Sequence, residues 1–273
     1  MKGSCYTGSR LVARFLASVA VLMLTSSIAA LGAASAQQGG GRGRGAAAPP
    51  GPPAPPAENP KDLQEVWLGN FRVDSKPKMK PVAQKLFDEN TEELRRKVPV
   101  TKDPAFWCTP VGIPHIYNNG IHPFEILQTP ARTFIFYEAD RTWRTVWTDG
   151  RSIPDDVEDL WLGYSVGHWE GDEFVVETAG FNDKTWLLLG EGSMHSTKLR
   201  VIERFKRVDR DNLQIKFRLI DPDYYEGEWT LTGNFRRQPR ERRWELDETY
   251  CVPEEQQTFD KVVLTPNAAP AKK

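Results

Sequence analysis

The chain has 273 residues, with 36 Lys and Arg against 37 Asp and Glu, a net charge of −1 at neutral pH. Neither a basic arm nor a basic stripe stands out, which argues against nucleic acid or an anionic membrane surface as partner. No glycine-rich phosphate loop or dinucleotide fingerprint follows a strand pattern, so no nucleotide cofactor is expected.

The first segment reads as an export signal over residues 1–36. Lys2, Arg10 and Arg14 form a basic start, residues 15–31 are mainly apolar, and Ala34-Ser35-Ala36 is a small-x-small cleavage site. The apolar run is short and rich in small residues for a membrane span. Cys5 precedes that run, which argues against a lipid-anchored mature N-terminus. Cleavage after Ala36 removes three positive charges and takes the net charge to −4. An exported protein, periplasmic or extracellular, with no integral membrane span is therefore expected. Residues 37–60 are a Gly/Arg then Ala/Pro tract, a tether without a core of its own. Residues 61–255 are expected to form a single domain and 256–273 a tail. Cys108 and Cys251 lie near the two ends of that domain, and in an oxidising compartment they are expected to bridge.

Within the domain, Asp62 to Trp67 predicts a short turn or strand that brings Trp67 onto the core. Residues 81–96 read as an amphipathic helix with Pro81 in its first turn and Val82, Leu86 and Leu94 on the apolar side. Residues 103–120 are rich in breakers and read as loop. From Pro123 onward strand follows strand: 124–128, 132–138, 142–148, 198–208, 213–220, 228–236 and 243–251 are short runs rich in aromatic and β-branched residues. Among them, residues 160–182 contain two strands joined at Trp169-Glu170-Gly171-Asp172, where Gly171 supplies the positive φ of a tight turn. In the 213–220 run, Leu213, Ile215, Phe217 and Leu219 share one face. The expected fold is all-β: an antiparallel barrel, lipocalin-like, or a closely packed sandwich, preceded by one short helix.

Gly163-x-Ser165-x-Gly167-x-Trp169-Glu170-Gly171-Asp172-x-x-Val175-Val176-x-Thr178, with Phe181-Asn182, His195-Ser196 and Glu203-Arg204, resembles a family of uncharacterised secreted bacterial proteins. Cys108-x-Pro110, Asp149-Gly150-Arg151, Asp221-Pro222 and Cys251 extend the resemblance over about residues 62–252. In that family a His-Pro pair often follows Asp-Gly-Arg; here Ile153-Pro154 stands in its place. Glu65-Val66-Trp67 also resembles the Gly-x-Trp opening of lipocalins, without its glycine.

Gly163-Tyr164-Ser165-Val166-Gly167 has the spacing of a serine-hydrolase elbow. That chemistry needs a helix after the serine, and here a hairpin follows, so crowding relief is the better reading of these glycines. His115, His122, His168 and His195 show no metal-ligand spacing, and no metal is expected. His115 and His122 read as exposed loop residues. His168 shares strand parity with Leu162, Tyr164 and Val166 and reads as a core or cavity histidine. His195, beside Gly190 and Gly192, is the preferred acid/base candidate.

Glu203, Glu177, Asp149 and Asp221 fall on apolar faces by parity, Asp149 with Trp143 and Trp147. A carboxylate so placed must be paired, protonated or in contact with a ligand, and Arg151 and Arg204 are the expected partners. The catalytic candidates are His195, Glu177, Asp149 and Glu203. Arg151, Tyr164, His168, Trp186, Arg204, Asp221 and Trp229 are the candidate ligand-binding residues, in a cavity that Trp143, Trp147, Trp161 and Trp169 also line. Trp186, Leu187, Leu188 and Leu189 read as a lid over the barrel mouth or a protein contact. The function expected is binding of a small, largely apolar organic molecule in an aromatic-lined cavity with a His/Asp/Glu/Arg polar cluster, and acid/base isomerase, lyase or hydrolase chemistry stays open there beside plain carriage. The alternatives are a non-catalytic carrier or sensor, and an interaction module on the Pro-rich tether with a filled core.

Overall fold

The computed structural model describes residues 55–95, 103–117, 121–157, 159–239 and 245–252. The elements in order are β1 (Val66–Ser75), β2 (Lys78–Met79), α1 (Pro81–Arg95), β3 (Phe124–Gln128), β4 (Arg132–Tyr137) and β5 (Thr142–Trp147). They continue with β6 (Tyr164–Glu170), β7 (Glu173–Ala179), β8 (Arg200–Arg207), β9 (Asn212–Ile220), β10 (Tyr225–Glu226) and β11 (Glu228–Arg237). Nine strands close into a barrel in the order β1-β11-β9-β8-β7-β6-β5-β4-β3, and β2 and β10 pair separately. The all-β barrel with one short helix is thus the fold, and the closed form rather than the sandwich.

A ring with an odd number of strands cannot alternate direction all the way round, so one joint must be parallel. It is β5–β6, held by Val146↔Ser165 and Trp147↔Val166 alone. The other joints are antiparallel. One end carries the β3–β4, β6–β7 and β8–β9 hairpins, with Gly171 of the second at φ 60°. The strand directions send the β4–β5 turn and the connections containing residues 80–95, 103–117, 121–123, 180–199 and 221–227 to the other end, which they cap.

Side chains from every part of the ring fill the lumen: Trp67, Phe124, Ile126, Ile135, Val146, Phe174, Val176, Phe205, Ile215, Phe217, Leu231 and Phe235 are all buried. Removing this apolar area from water, worth ~25 cal/mol per Å², is the main term holding the barrel closed. The capping segment adds Tyr117, which reaches down from the short turn His115–Tyr117. Its ring lies edge-on to Phe124 and Tyr137 at 5.1 and 5.3 Å.

Three expectations change. First, Trp143 is 60% exposed, Trp147 is half-buried and outward, and Arg144 and Val146 face the lumen instead. The register decides this, since Ile135 opposes Arg144 and Thr133 opposes Val146, and opposed residues share a face. Second, His168 is exposed. A Cβ on Gly167 would come within 2.8 Å of Phe174 and Val146, so the lumen admits no side chain on this strand there, and alternation turns His168 out. Third, residues 245–252 form no strand; they run as a strap bonded to Cys108 through Cys251, with the Cα atoms 5.3 Å apart. With the ring closed, β11 already pairs with both β1 and β9 and has no free edge.

Helix α1 begins at Pro81 as expected, but it buries Ala83 and Thr91, and Val82 is 49% exposed. It packs on the 180–199 loop where Gly192, at φ 90°, lets Thr91 and Asn90 approach. Asn90 Nδ2 donates to the Gly192 carbonyl at 3.1 Å. The side chain of Leu94 and the strand start at 243–244 lie outside the described residues, as do residues 1–54. No helix among the described residues is long and apolar enough to cross a membrane.

Candidate functional site

The polar centre of the lumen is an ion pair. Arg144 from β5 meets Glu203 from β8 through both guanidinium nitrogens, at 2.5 and 3.0 Å. Their side chains are 1% and 0% exposed. Arg144 also donates to the Tyr117 hydroxyl at 3.0 Å, and Tyr137 donates to the same oxygen at 2.8 Å. Burial pushes the Tyr137 hydroxyl up to about 12, and Tyr117 well above its ordinary value. Burial opposes the Arg144 charge, but Glu203 and the two tyrosine oxygens outweigh it and leave the guanidinium firmly protonated. Ser165 bonds Thr178 beside this network, buried and away from any helix. The partner of Glu203 is therefore Arg144, not Arg151 or Arg204. Packed on all sides, the pair braces the barrel.

The other predicted residues separate. Asp149, Arg151 and Tyr164 meet on the outer wall, where Arg151 pairs with Asp149 and stacks on Trp147 at 3.7 Å. Glu177 is outside, bonded to Arg200 at 3.1 Å, in an open polar groove of about 590 Å³ between residues 152–155 and β6–β8. Arg204 reaches Glu170 and Glu173, and His168 bonds Glu170. Asp149 and Glu170 are held below the usual carboxylate range, chiefly by hydrogen bonds from Arg151 and Arg204. Exposed pairs of this kind contribute little to stability.

His195 sits in the cap, 1% exposed. Its Nδ1–H donates to the Ser196 carbonyl at 3.1 Å, which leaves Nε2 to accept from Thr185 at 2.8 Å. Burial lowers its pKa. Asp221 accepts from the Ser196 backbone and hydroxyl and from the backbone of Asp223 and Tyr224, closing the turn into β10. Trp186 and Trp229 are buried, Trp229 edge-on to Tyr225 at 5.4 Å. These residues hold the cap together, and His195 forms no bond with Glu177, Asp149 or Glu203.

The cap itself contains a pocket of about 360 Å³, built from segments far apart in sequence. Ala105, Phe106, Val111, His115 and Ile116 come from residues 103–117; Ile121 and His122 precede β3; Ala139 and Asp140 turn from β4 into β5. Leu189 lines it from the 180–199 loop, and Thr249, Tyr250 and Cys251 from the strap. Leu187 and Leu188 of the same loop are buried.

Polar groups punctuate this apolar wall. His115 is 3% exposed, and its Nδ1 lies 3.2 Å from the Trp186 carbonyl. A carbonyl only accepts, so Nδ1 carries the proton and Nε2 keeps its lone pair. Burial lowers the His115 pKa, against the pull of Asp103 and Asp140. Burial raises that of Asp140, whose carboxylate accepts the Val111 N–H at 3.0 Å. Asp140 and Arg141 both have positive φ, 59° and 43°, the geometry of a tight hairpin turn. His122 Nδ1 bonds Glu138 at 2.8 Å, and the other Glu138 oxygen accepts from Asp247 of the strap at 2.9 Å. Among the described residues no cluster of three potential metal ligands occurs.

His115 is thus buried and His122 largely so, against the exposed loop expected for both, and Asp140 and Arg144, which no expectation named, join the polar groups of the cap and lumen. A signal was present: Val111, Ile113, Ile116 and Tyr117 flank His115, and so apolar a stretch between breakers reads better as a buried plug than as free loop.

Geometry therefore defines a closed nine-stranded barrel with a filled lumen, capped at one end over a pocket that holds two histidines. Comparisons with protein-family models, with curated proteins and with solved structures gave no match.

Proposed function

We propose that this is an exported binding protein that takes a small, largely apolar organic molecule into the pocket of its cap. The carrying observation is that pocket: about 360 Å³, apolar for most of its lining, with His115, His122 and Asp140 converging on it. Pockets that hold small molecules are concave, mainly apolar and supplied with a few placed polar groups. The structural disulfide fits export, because such bonds persist in oxidising compartments. Carriage is favoured over catalysis because Asp140 and Glu138 are already engaged by backbone N–H groups that tie the cap and strap together.

The test uses N-phenyl-1-naphthylamine, an uncharged dye that brightens in apolar surroundings. It is expected to bind the native protein saturably with one site. Ala105→Trp, which fills the pocket from the 103–117 segment, is expected to weaken binding at least tenfold while leaving the thermal midpoint within a few degrees. Equal dye affinity in a stably folded Ala105→Trp variant would refute the pocket as the binding site.

A further inference from the structure

The chemistry at His115 narrows the ligand class, and the inference rests on the cap pocket being the binding site. The Trp186 carbonyl fixes the proton on His115 Nδ1, so Nε2 is an acceptor, with no partner among the described residues. The histidine is nearly sealed from bulk water yet lines the pocket. Nε2 keeps access to the pocket space, so an occupant that displaces water from it must bring a donor or leave it unmatched at roughly 1–3 kcal/mol. Three carboxylates stand around it. Asp103 accepts from Ala105 and Gly190, Asp140 from Val111, and Glu138 from His122 and Asp247. Their field disfavours an anion, and the mainly apolar lining would strip an ammonium of its water.

We infer that the ligand is an uncharged, ring-sized hydrophobe carrying one hydroxyl or N–H donor, a phenol, alcohol or indole in type, which donates to His115 Nε2. The apolar body fills the space among Phe106, Ile116, Ile121 and Leu189, and the donor ends on the histidine.

Three probes of one shape separate the terms: naphthalene, 2-naphthol and 2-naphthoate, each measured at pH 7.5 by displacement of N-phenyl-1-naphthylamine. The expected order is 2-naphthol tightest, about tenfold over naphthalene as one net hydrogen bond allows, with 2-naphthoate weakest. His115→Asn keeps an N–H for the Trp186 carbonyl but removes the acceptor. It should bind naphthalene as the native protein does and lose the 2-naphthol preference. His115→Gln, whose side-chain oxygen can occupy the Nε2 position, should recover part of that preference. If dye and naphthalene bind but 2-naphthol gains nothing, or if its gain survives in His115→Asn, the donor assignment is overturned and the pocket stands. If neither dye nor naphthalene binds the native protein, the pocket reading falls with it.

Discussion

Glu203 shows how one charged residue sets the parity of its neighbours. It lies on the inward series with Val201 and Phe205, fully buried, so an inward cation is required. Arg144 supplies it, and Trp143 and Trp147 must then face out. The outer wall compensates in part, because Arg132 and Arg151 stack over Trp147 at 5.4 and 3.7 Å. Removing one partner of a buried pair strands the other charge, at about 3–5 kcal/mol. Glu203→Gln is accordingly expected to lower stability by about 3 kcal/mol, read as a shift of the urea midpoint at unchanged slope. Arg144→Met combined with Glu203→Leu should recover most of that loss, since no charge is left stranded. An unshifted midpoint for Glu203→Gln would show that the pair is not a brace. His195 teaches the opposite lesson: its neighbouring glycines suggested an accessible loop, yet both ring nitrogens are bonded within the cap.

Among the elements, the strap is the one on which the pocket most depends. Residues 249–251 form one wall, fixed by the Cys108–Cys251 bond, by Asp247 on Glu138 and by Arg141 over Tyr250 at 4.8 Å. On the chain-entropy model a bridge over 143 residues of separation stabilises by about 5 kcal/mol. The double variant Cys108→Ser, Cys251→Ser is expected to melt several degrees lower and to bind N-phenyl-1-naphthylamine more weakly, because the wall is then held only by its polar contacts. Calorimetry and a dye titration check the two effects separately; a lower melting point with full affinity would mean that the strap holds without the bond. Elements with local signals were readable from the sequence: the β6–β7 hairpin announces itself at Gly171, β9 by its alternation, and α1 by Pro81. The strap was not, since residues 243–251 carry a strand-like composition and only the closed ring denies them an edge. Nor was the pocket, because its walls come from five separate segments and no local pattern encodes their meeting.

At the scale of the whole molecule, folding buries His115 and His195 and lowers both pKa values, with burial the largest cause in each. In the unfolded chain both titrate near 6.5. Below that pH the unfolded state takes up protons that the folded state refuses, so stability falls as pH drops. The contribution is fully present above about pH 6.5 and is lost toward the lower folded pKa values. Denaturation midpoints measured from pH 8 to pH 5 should stay level to about 6.5 and then decline. His195→Asn should flatten the decline even though it lowers the plateau. The depressed carboxylates Asp74, Asp149, Glu170 and Glu228 act in a separate window. Their ordinary values are 3.8 and 4.5, so their contribution is lost only as pH falls below that range. A midpoint that does not change between pH 7 and pH 5 would contradict the neutral burial of the two histidines.

Nine strands also give the ring a gap. Hairpin-by-hairpin growth adds strands in twos and yields even rings, whereas here residues 148–163 must travel the length of the wall to bring β6 back alongside β5. The joint they make holds two residue pairs, against seven for β6 with β7. Like a split washer, the barrel can spread here without breaking a full ladder, next to Arg144 at the foot of the strand that carries half of its internal brace; the β1–β3 joint, also of two pairs, is its antiparallel counterpart.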